Sequence, residues 1–301
     1  MTTYLPTLKQ LQYLVALHEQ GHFGRAAEAS FVSQSTLSAG IRELESLLGT
    51  TLVERSRRVV RFTALGENVV ERARRILREA SDLEELVRAS GTPLSGELRL
   101  AVIPTIAPFL LPRLLPKLRK TRPALDLKLR EDTSAAAVAA LHAGRVDCVL
   151  LALPFAVGEV ERESVGVDRL GLAIPATESD AFPDSVLPDG IDADRLLLLQ
   201  DGHCLREHAL AACSRPELRA AATMVGTSLH TLVQMVDNGL GLTIVPDMAS
   251  RAGLLNNTKV VLRTLESDDA HREIALIWRT KSPRADEFRL LAGEIRAELA
   301  Q

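Results

Sequence analysis

The segment HFGRAAEASFVSQSTLSAGIRELESLLG, residues 22–49, carries the pattern of two short helices joined by a turn. A small Ala-rich helix is predicted over residues 24–29, and a second helix over Gln34–Leu48. Ser33 is a good N-cap for the second helix, and Gly49 supplies its stop. Together these features predict a helix-turn-helix.

The second helix begins with polar side chains, as a DNA recognition helix requires. Such a helix brings hydrogen-bonding groups to base edges at its N-terminal end and packs its other face on the preceding helix. Leu37, Ile41 and Leu44 are predicted to face inward. The side chains predicted to meet DNA are Gln34, Ser35, Thr36, Ser38 and Arg42. On composition alone, a surface helix with a polar cap explains the same pattern equally well.

The flanking segments extend this unit into a winged domain. Apolar residues at helical spacing predict an amphipathic helix over Leu8–Gln20, closed by Gly21. Two alternating stretches around a basic turn, within residues 52–63, predict a β-hairpin that forms the wing. A long helix to about residue 90 follows, and its apolar stripe has no obvious partner within so small a domain, which favours a helix–helix dimer interface. Residues 91–96, GTPLSG, are predicted to be a hinge.

Length and composition set the broad class. A chain of 301 residues predicts two or three modules, and 46% hydrophobic against 25% charged residues excludes disorder. No apolar run is long enough to span a bilayer, and the N-terminus lacks the features of a secretory signal, so we expect a cytoplasmic protein without membrane contact. The net charge is −3, yet residues 53–78 hold eight arginines and three acids, a local excess typical of a nucleic-acid partner.

Beyond Glu97, short apolar strands alternate with helical stretches. This alternation predicts an α/β sheet with parallel crossovers, whose ligands bind outside the carboxyl ends of the strands. The predicted strands cover residues 98–103, 125–129, 146–151, 169–174, 196–199, 223–225 and 242–245.

Cys204 and Cys213 are nine residues apart in a segment of helical character. In one helix, a rise of about 1.5 Å per residue would separate their Cα atoms by roughly 13 to 14 Å. A disulfide allows roughly 4.4 to 6.8 Å, so a bridge would require unwinding, and an oxidation would become a conformational change. The position of Cys204 at the predicted helix N-terminus, before Arg206, is expected to favour a thiolate. Cys148 lies in an apolar run and is expected to be a core thiol, and two packed cysteines remain the simpler interpretation of the pair.

Residues 8–66, with AAEASFVSQSTLSAGIRELESLLGTTLVER followed by R-FTALG, resemble the N-terminal domain of LysR-type transcriptional regulators. The resemblance implies a winged helix-turn-helix at 1–65, a dimerisation helix and hinge at 66–93, and at 94–301 a two-lobed α/β regulatory domain like periplasmic binding proteins. Lobe I would comprise about 94–168 and 270–301, and lobe II about 169–269. Ser35 stands where many relatives have Pro. The implied base contacts are Gln34, Ser35, Thr36 and Ser38, and the implied DNA-backbone contacts are Arg42, Arg57 and Arg58.

The runs LLLLQDGHCLREHALAAC, AVIPTIAPFLLP and GRVDCVLLALP resemble the peroxide-responsive branch of the same family. This resemblance implies that Cys204 is the peroxidatic cysteine and Cys213 the resolving one. It also implies a peroxide pocket around Cys204, formed by Thr105, Ser134, His203 and Arg272. Thr105 follows a predicted strand and precedes a helix, where it could hold a small polar ligand, serve as an ordinary N-cap, or do both. Ser134 stands where a Thr is expected in relatives.

The implied function is transcriptional regulation rather than enzymatic turnover, with no cofactor and no metal. Oxidation by hydrogen peroxide would refold the cysteine segment, and the changed oligomer would alter promoter binding and transcription of antioxidant genes. The expected partners are double-stranded promoter DNA, hydrogen peroxide, RNA polymerase, thiol reductants and further copies of the chain in a dimer or tetramer. Two alternatives remain: a LysR-type regulator of a small organic effector with incidental cysteines, and a thiol-peroxidase or metabolite-binding module.

Overall fold

The computed structural model describes residues 5–55, 60–89, 91–213 and 225–300. They fall into two compact units, Met1–Val87 and Arg88–Gln301. Each unit is built around its own apolar side chains, so the two are described in turn.

The described residues of the first unit form four helices and a two-stranded hairpin. They are α1 (Leu8–Gln20), α2 (Phe23–Ala29), α3 (Gln34–Leu48), β1 (Val53–Arg55), β2 (Val60–Phe62) and α4 (Ala64–Ala89). The Ser33 hydroxyl accepts the Thr36 N–H, and Gly49 ends α3 in the left-handed conformation, so both predicted caps of α3 are confirmed. Helix α2 begins at Phe23 rather than at Gly24, because the His22 ring nitrogen accepts the first free N–H groups.

The apolar stripe of α4 is divided between the interior and the surface of this unit. Val70 and Ala73 are buried against the other helices, whereas Ile76 and Leu83 are exposed. The expectation that the whole stripe lacks a partner is therefore wrong for its N-terminal part. Ile76 is exposed although the next residue, Leu77, still packs against the core of this unit.

The second unit is an α/β structure with two hydrophobic cores. Its strands are β3 (Gly96–Val102), β4 (Leu125–Glu131), β5 (Cys148–Leu153), β6 (Val160–Pro175), β7 (Ser185–Val186), β8 (Leu198–Leu199), β9 (Val225–Gly226), β10 (Thr243–Pro246), β11 (Val260–Leu265) and β12 (His271–Arg279). Its α-helices are α5 (Ala107–Thr121), α6 (Ser134–His142), α7 (Cys204–Ala212), α8 (Leu229–Asp237), α9 (Asp247–Arg251) and α10 (Ala285–Leu299), and three short 3-10 helices are Ala176–Ala181, Pro188–Gly190 and Ala193–Arg195.

The strands form one mixed sheet and a separate pair. The sheet has the order β4-β3-β5-β12-β6-β11-β7, with β10 also paired to β6, and β8 pairs with β9. The pairs β3–β4, β3–β5 and β8–β9 are parallel, as expected. However, β12 runs antiparallel to β5 and β6, and β10 and β11 run antiparallel to β6. The expectation of parallel crossovers throughout is wrong: it omitted β11 and β12, and the predicted strand at 242–245 runs antiparallel to the predicted strand at 169–174.

The long strand β6 connects the two cores. Val165 belongs to the core formed with β3, β5, β12 and α10, which we call lobe I. Leu172 and Ile174 belong to the core formed with β8, β10, α7 and α8, which we call lobe II. Residues between these positions on β6, and their partners on β12, therefore lie where the lobes join. Among the described residues, no helix is long and apolar enough to cross a membrane.

Candidate functional site

Arg272 is the centre of a buried polar cluster between the lobes. Its guanidinium is fully buried and donates to the Asp168 carboxylate through Nε (3.0 Å) and Nη2 (2.9 Å). It also donates to the Thr105 hydroxyl (2.8 Å) and the Thr105 carbonyl oxygen (3.0 Å). The second Asp168 oxygen accepts the Met248 N–H at 2.9 Å. The Arg272 guanidinium thus links β12 to β6 and to the turn after β3 through hydrogen bonds.

Cys204 is the first residue of α7 and is 1% exposed. Its backbone N–H donates to the Ser134 hydroxyl at 3.1 Å, and Ser134 is the buried first residue of α6. The N–H of Ala135 donates to the Gly202 carbonyl oxygen at 3.1 Å. The N-termini of α6 and α7 therefore meet, and their positive dipole ends both lie near the Cys204 residue.

Burial raises the pKa of the Cys204 thiol. The charge of Arg272, a hydrogen bond with the Ser134 side chain and hydrogen bonds from the backbone of Ala152 and Cys204 act in the opposite direction without offsetting burial. The expectation that the helix N-terminus favours a thiolate is therefore corrected for this structure. Burial of the sulfur away from water destabilises the thiolate by more than the helix N-terminus and the Arg272 guanidinium stabilise it.

His203 and Thr105 lie in the same region but differ in how they are held. The His203 ring is buried, caps no backbone group of α7, and its Nε2 has no hydrogen-bond partner within the described residues. Burial lowers its pKa, so the neutral ring is favoured. Thr105 is not an N-cap, because Ile106 occupies that position of α5. Its hydroxyl oxygen accepts a hydrogen bond from Arg272 instead.

The three cysteines are buried, and no disulfide joins any of them. Helix α7 extends from Cys204 to Ala212, and Cys213 follows as its C-cap with its N–H donated to Ala209. A continuous helix of this length holds the two Cα atoms about 13 Å apart, beyond the reach of a disulfide. Cys148 lies in β5 within the core of lobe I, as predicted.

The predicted DNA-contacting side chains form the N-terminal face of α3. Gln34, Ser35, Thr36 and Arg42 are exposed, and Ser38 is half-buried. The Ser33 hydroxyl lies 2.8 Å from both the Ser35 and the Thr36 hydroxyls. The wing residues Arg57 and Arg58 lie outside the described residues.

Both parts of the chain match models of one family. The model of bacterial regulatory helix-turn-helix proteins of the lysR family matches residues 8–67, and that of the LysR substrate binding domain matches residues 91–300. The chain belongs to the LysR family. As in that family, a DNA-binding helix-turn-helix precedes a two-lobed regulatory domain.

Relatives of this LysR-family chain are transcriptional regulators. The HTH-type transcriptional regulator EstR of Acinetobacter baylyi is 44% identical over 285 residues, which cover 94% of each chain. The DNA-binding transcriptional dual regulator OxyR of Escherichia coli is 37% identical over 292 residues, which cover 97% of this chain and 95% of OxyR.

Solved OxyR structures share the fold. A full-length OxyR variant from Pseudomonas aeruginosa matches with a TM-score of 0.71 and 32% identity, over 97% of this chain and 95% of that one. A hydrogen-peroxide-bound OxyR mutant from Corynebacterium glutamicum matches with a TM-score of 0.66 and 30% identity, over 99% and 94%.

Two residues of this LysR-family site escaped the sequence analysis. Asp168 binds Arg272 across 104 positions of the sequence. The only signal for it was its place as the one acid of the C-terminal half of β6, where it precedes Arg169. His208 lies buried on α7 between the two cysteines, with its Nε2 3.0 Å from the Pro154 carbonyl oxygen. A lone histidine in a predicted helix carries no such signal.

Proposed function

We propose that this chain is a peroxide-responsive transcriptional regulator that senses hydrogen peroxide through Cys204. The observation that carries the proposal is the position of the Cys204 thiol, buried at the junction of two helix N-termini beside the fixed positive charge of Arg272. The unpartnered His203 nitrogen and the Thr105 hydroxyl are buried polar groups in the same region, available to hold a small polar ligand. Similarity to OxyR supports the same ligand.

In the proposed reaction, the Cys204 sulfur attacks one oxygen of hydrogen peroxide. The S–O bond forms, the O–O bond breaks, and the departing oxygen takes the thiol proton and leaves as water. The Cys213 thiol then attacks the sulfenic sulfur, so that an S–S bond replaces the S–O bond and a second water leaves. Thiol reductants return both residues to thiols by exchange. Arg272 and the helix ends stabilise the thiolate character that develops on Cys204 during the first step.

The second step supplies the switch. Because α7 separates the two sulfurs, the disulfide requires α7 to unwind, and the refolded segment is the signal. We propose that the signal changes how copies of the chain associate, as dimers and tetramers, and thereby how they engage promoter DNA and RNA polymerase in the cytoplasm. The winged domain at 1–65, the linker at 66–93 and the two lobes of 94–301 are the proposed working parts.

The experiment treats reduced protein with one equivalent of hydrogen peroxide and looks for a Cys204–Cys213 peptide pair by mass spectrometry. A mobility-shift titration of promoter DNA is run in parallel. The wild type and the control variant Cys148→Ser should form the bridge and change their DNA binding. Cys204→Ser should do neither while it keeps basal DNA binding. A normal peroxide response in Cys204→Ser would sink the mechanism.

A second candidate is regulation by a small organic effector. A cavity of about 570 Å³ beside β6 favours it, and its lining includes the apolar side chains of Leu110, Met248 and Leu299 and the charged side chains of Arg113 and Arg296. This size suits a drug-sized ligand. In the same mobility-shift titration, a regulator of this kind would bind promoter DNA equally well with and without hydrogen peroxide. The wild type and Cys204→Ser would then give the same result.

A further inference from the structure

Phe31 lies in the turn between α2 and α3 and is the most exposed large apolar side chain among the described residues of the first unit. Its side chain is 96% exposed, and its backbone has a φ of +55°. Both values are unusual for an aromatic residue, because a ring in water loses the benefit of burial and a side chain at positive φ is strained.

The left-handed backbone at Phe31 is imposed by the end of α2. The Phe31 N–H donates to the Glu28 carbonyl oxygen at 3.1 Å, and the Val32 N–H donates to the Ala27 carbonyl oxygen at 3.0 Å. This pair of bonds is the Schellman motif, which places one left-handed residue after the helix end and favours Gly or Asn there. The sequence has Phe at this position instead.

The ring makes no contribution to the interior that would compensate for this strain. The next residue, Val32, packs against the buried core of the unit, whereas Phe31 is not part of that core. A fully exposed residue removes no apolar surface from water. Within its own unit, Asn or Gly at position 31 would therefore serve the turn better than Phe.

The position of Phe31 relative to α3 suggests what the ring contacts. Phe31 stands two residues before the N-cap Ser33, whose hydroxyl is clustered with those of Ser35 and Thr36 on the exposed N-terminal face of α3. In a helix-turn-helix this end of the second helix meets the base edges. The ring thus lies at the border of the surface that enters the groove.

We propose that Phe31 contacts operator DNA through its apolar ring and contributes to sequence preference at the border of the α3 footprint. The inference rests on the proposed DNA-binding role of α3. The chemistry it recognises is the apolar part of the groove, namely a thymine C5-methyl group or the carbon edge of a deoxyribose. Phenylalanine against a thymine methyl is an established form of base recognition.

The test compares promoter affinities of the full-length wild type, Phe31→Asn and Phe31→Gly by fluorescence anisotropy at several salt concentrations. Both replacements suit the left-handed turn, so each should fold with an unchanged or higher melting temperature. We expect affinity to fall about tenfold with the salt dependence unchanged, because an apolar contact releases no counterions. The matched control Leu48→Asn removes an exposed apolar residue at the opposite end of α3 and should keep wild-type affinity.

Operator DNA with uracil in place of thymine distinguishes the two apolar groups. If Phe31 meets a thymine methyl, the wild type loses affinity on the uracil operator and Phe31→Asn does not; with a deoxyribose contact, neither responds. Wild-type affinity in both Phe31 variants, with or without altered self-association, would overturn the inference. If the wild type itself does not bind the promoter DNA, the proposed DNA-binding role of α3 is overturned instead. The failure of the Phe31 inference and the failure of the proposed function are therefore distinguishable.

Discussion

Mild acid should weaken the folded form of α7, because this helix buries a neutral histidine. His208 is 3% exposed, its Nε2–H donates to the Pro154 carbonyl oxygen, and its Nδ1 is buried without a partner among the described residues. Burial lowers the pKa of His208 to about 4, against the opposing hydrogen bond to Pro154, and the charges of Arg272 and His271 act in the same direction as burial. Protonation would place a cation in this apolar site.

The sign and size of the effect follow from proton linkage. In an unwound α7 the His208 pKa returns to its ordinary 6.5, so the unwound form binds more protons and the folded form loses stability as pH falls from 6.5 towards 4. At pH 5.5 the folded form is disfavoured about tenfold, or by about 1.4 kcal/mol, relative to high pH. At pH 7.5 the same factor is only about 1.1, so the helix keeps its full stability there.

Hydrogen exchange of the α7 amides, followed by mass spectrometry, measures this opening. His208→Gln retains a donor for the Pro154 carbonyl oxygen and does not titrate, so at each pH it serves as the reference that cancels the intrinsic pH dependence of exchange. The ratio of wild-type to variant opening should rise about tenfold between pH 7.5 and pH 5.5. His142→Gln, which alters a carbonyl-bonded histidine on α6, is the control and should leave the pH dependence of α7 unchanged. An equal ratio at both pH values would refute the reasoning.

The remaining predictions concern the guanidinium and the DNA-contacting face. Arg272→Gln leaves Asp168 buried without its cation, so we expect a loss of about 3 kcal/mol in urea unfolding and, in stopped-flow measurements, slower oxidation of Cys204; unchanged oxidation would exclude Arg272 from that step. Gln34→Ala should cost about 1–3 kcal/mol of promoter affinity on some sequences only. Arg42→Ala should weaken binding evenly and lower the salt slope by about 1, and unchanged binding would remove either residue from the interface.

The first unit could be predicted closely because its signals are local. The bounds of α1 and α3 agree with the prediction to the residue. Each helix begins after a Thr or Ser N-cap and ends before a Gly in the left-handed conformation, and both signals can be identified in the sequence. The division of the α4 stripe could not be predicted, because the depth of the helical core under Val70 and Ala73 depends on how three other helices pack.

The regulatory unit was harder because its decisive contacts join distant residues. Arg272 follows a polar turn and resembles a surface residue in sequence, yet the structure buries it between Asp168 and Thr105. Strand β11 was missed because most of its residues are half-buried and its apolar run, Val260 to Leu262, is only three residues long. Local pattern gave the positions of Cys204 and α7, but the balance of charges around the thiol exists only in the folded unit.

That balance changes how the proposed sensor has to work. In the proposed sensor, a Cys204 thiol that is 1% exposed would be protected from bulky oxidants, which would need a local opening of the structure to reach the sulfur. Arg272 is held in place by Asp168 and Thr105. In the proposed reaction, its charge would therefore stabilise the anion that develops on the sulfur without a rearrangement of the guanidinium. Burial would therefore make Cys204 selective for a small oxidant, and the fixed Arg272 guanidinium would make it reactive. A helix N-terminus alone would supply neither property.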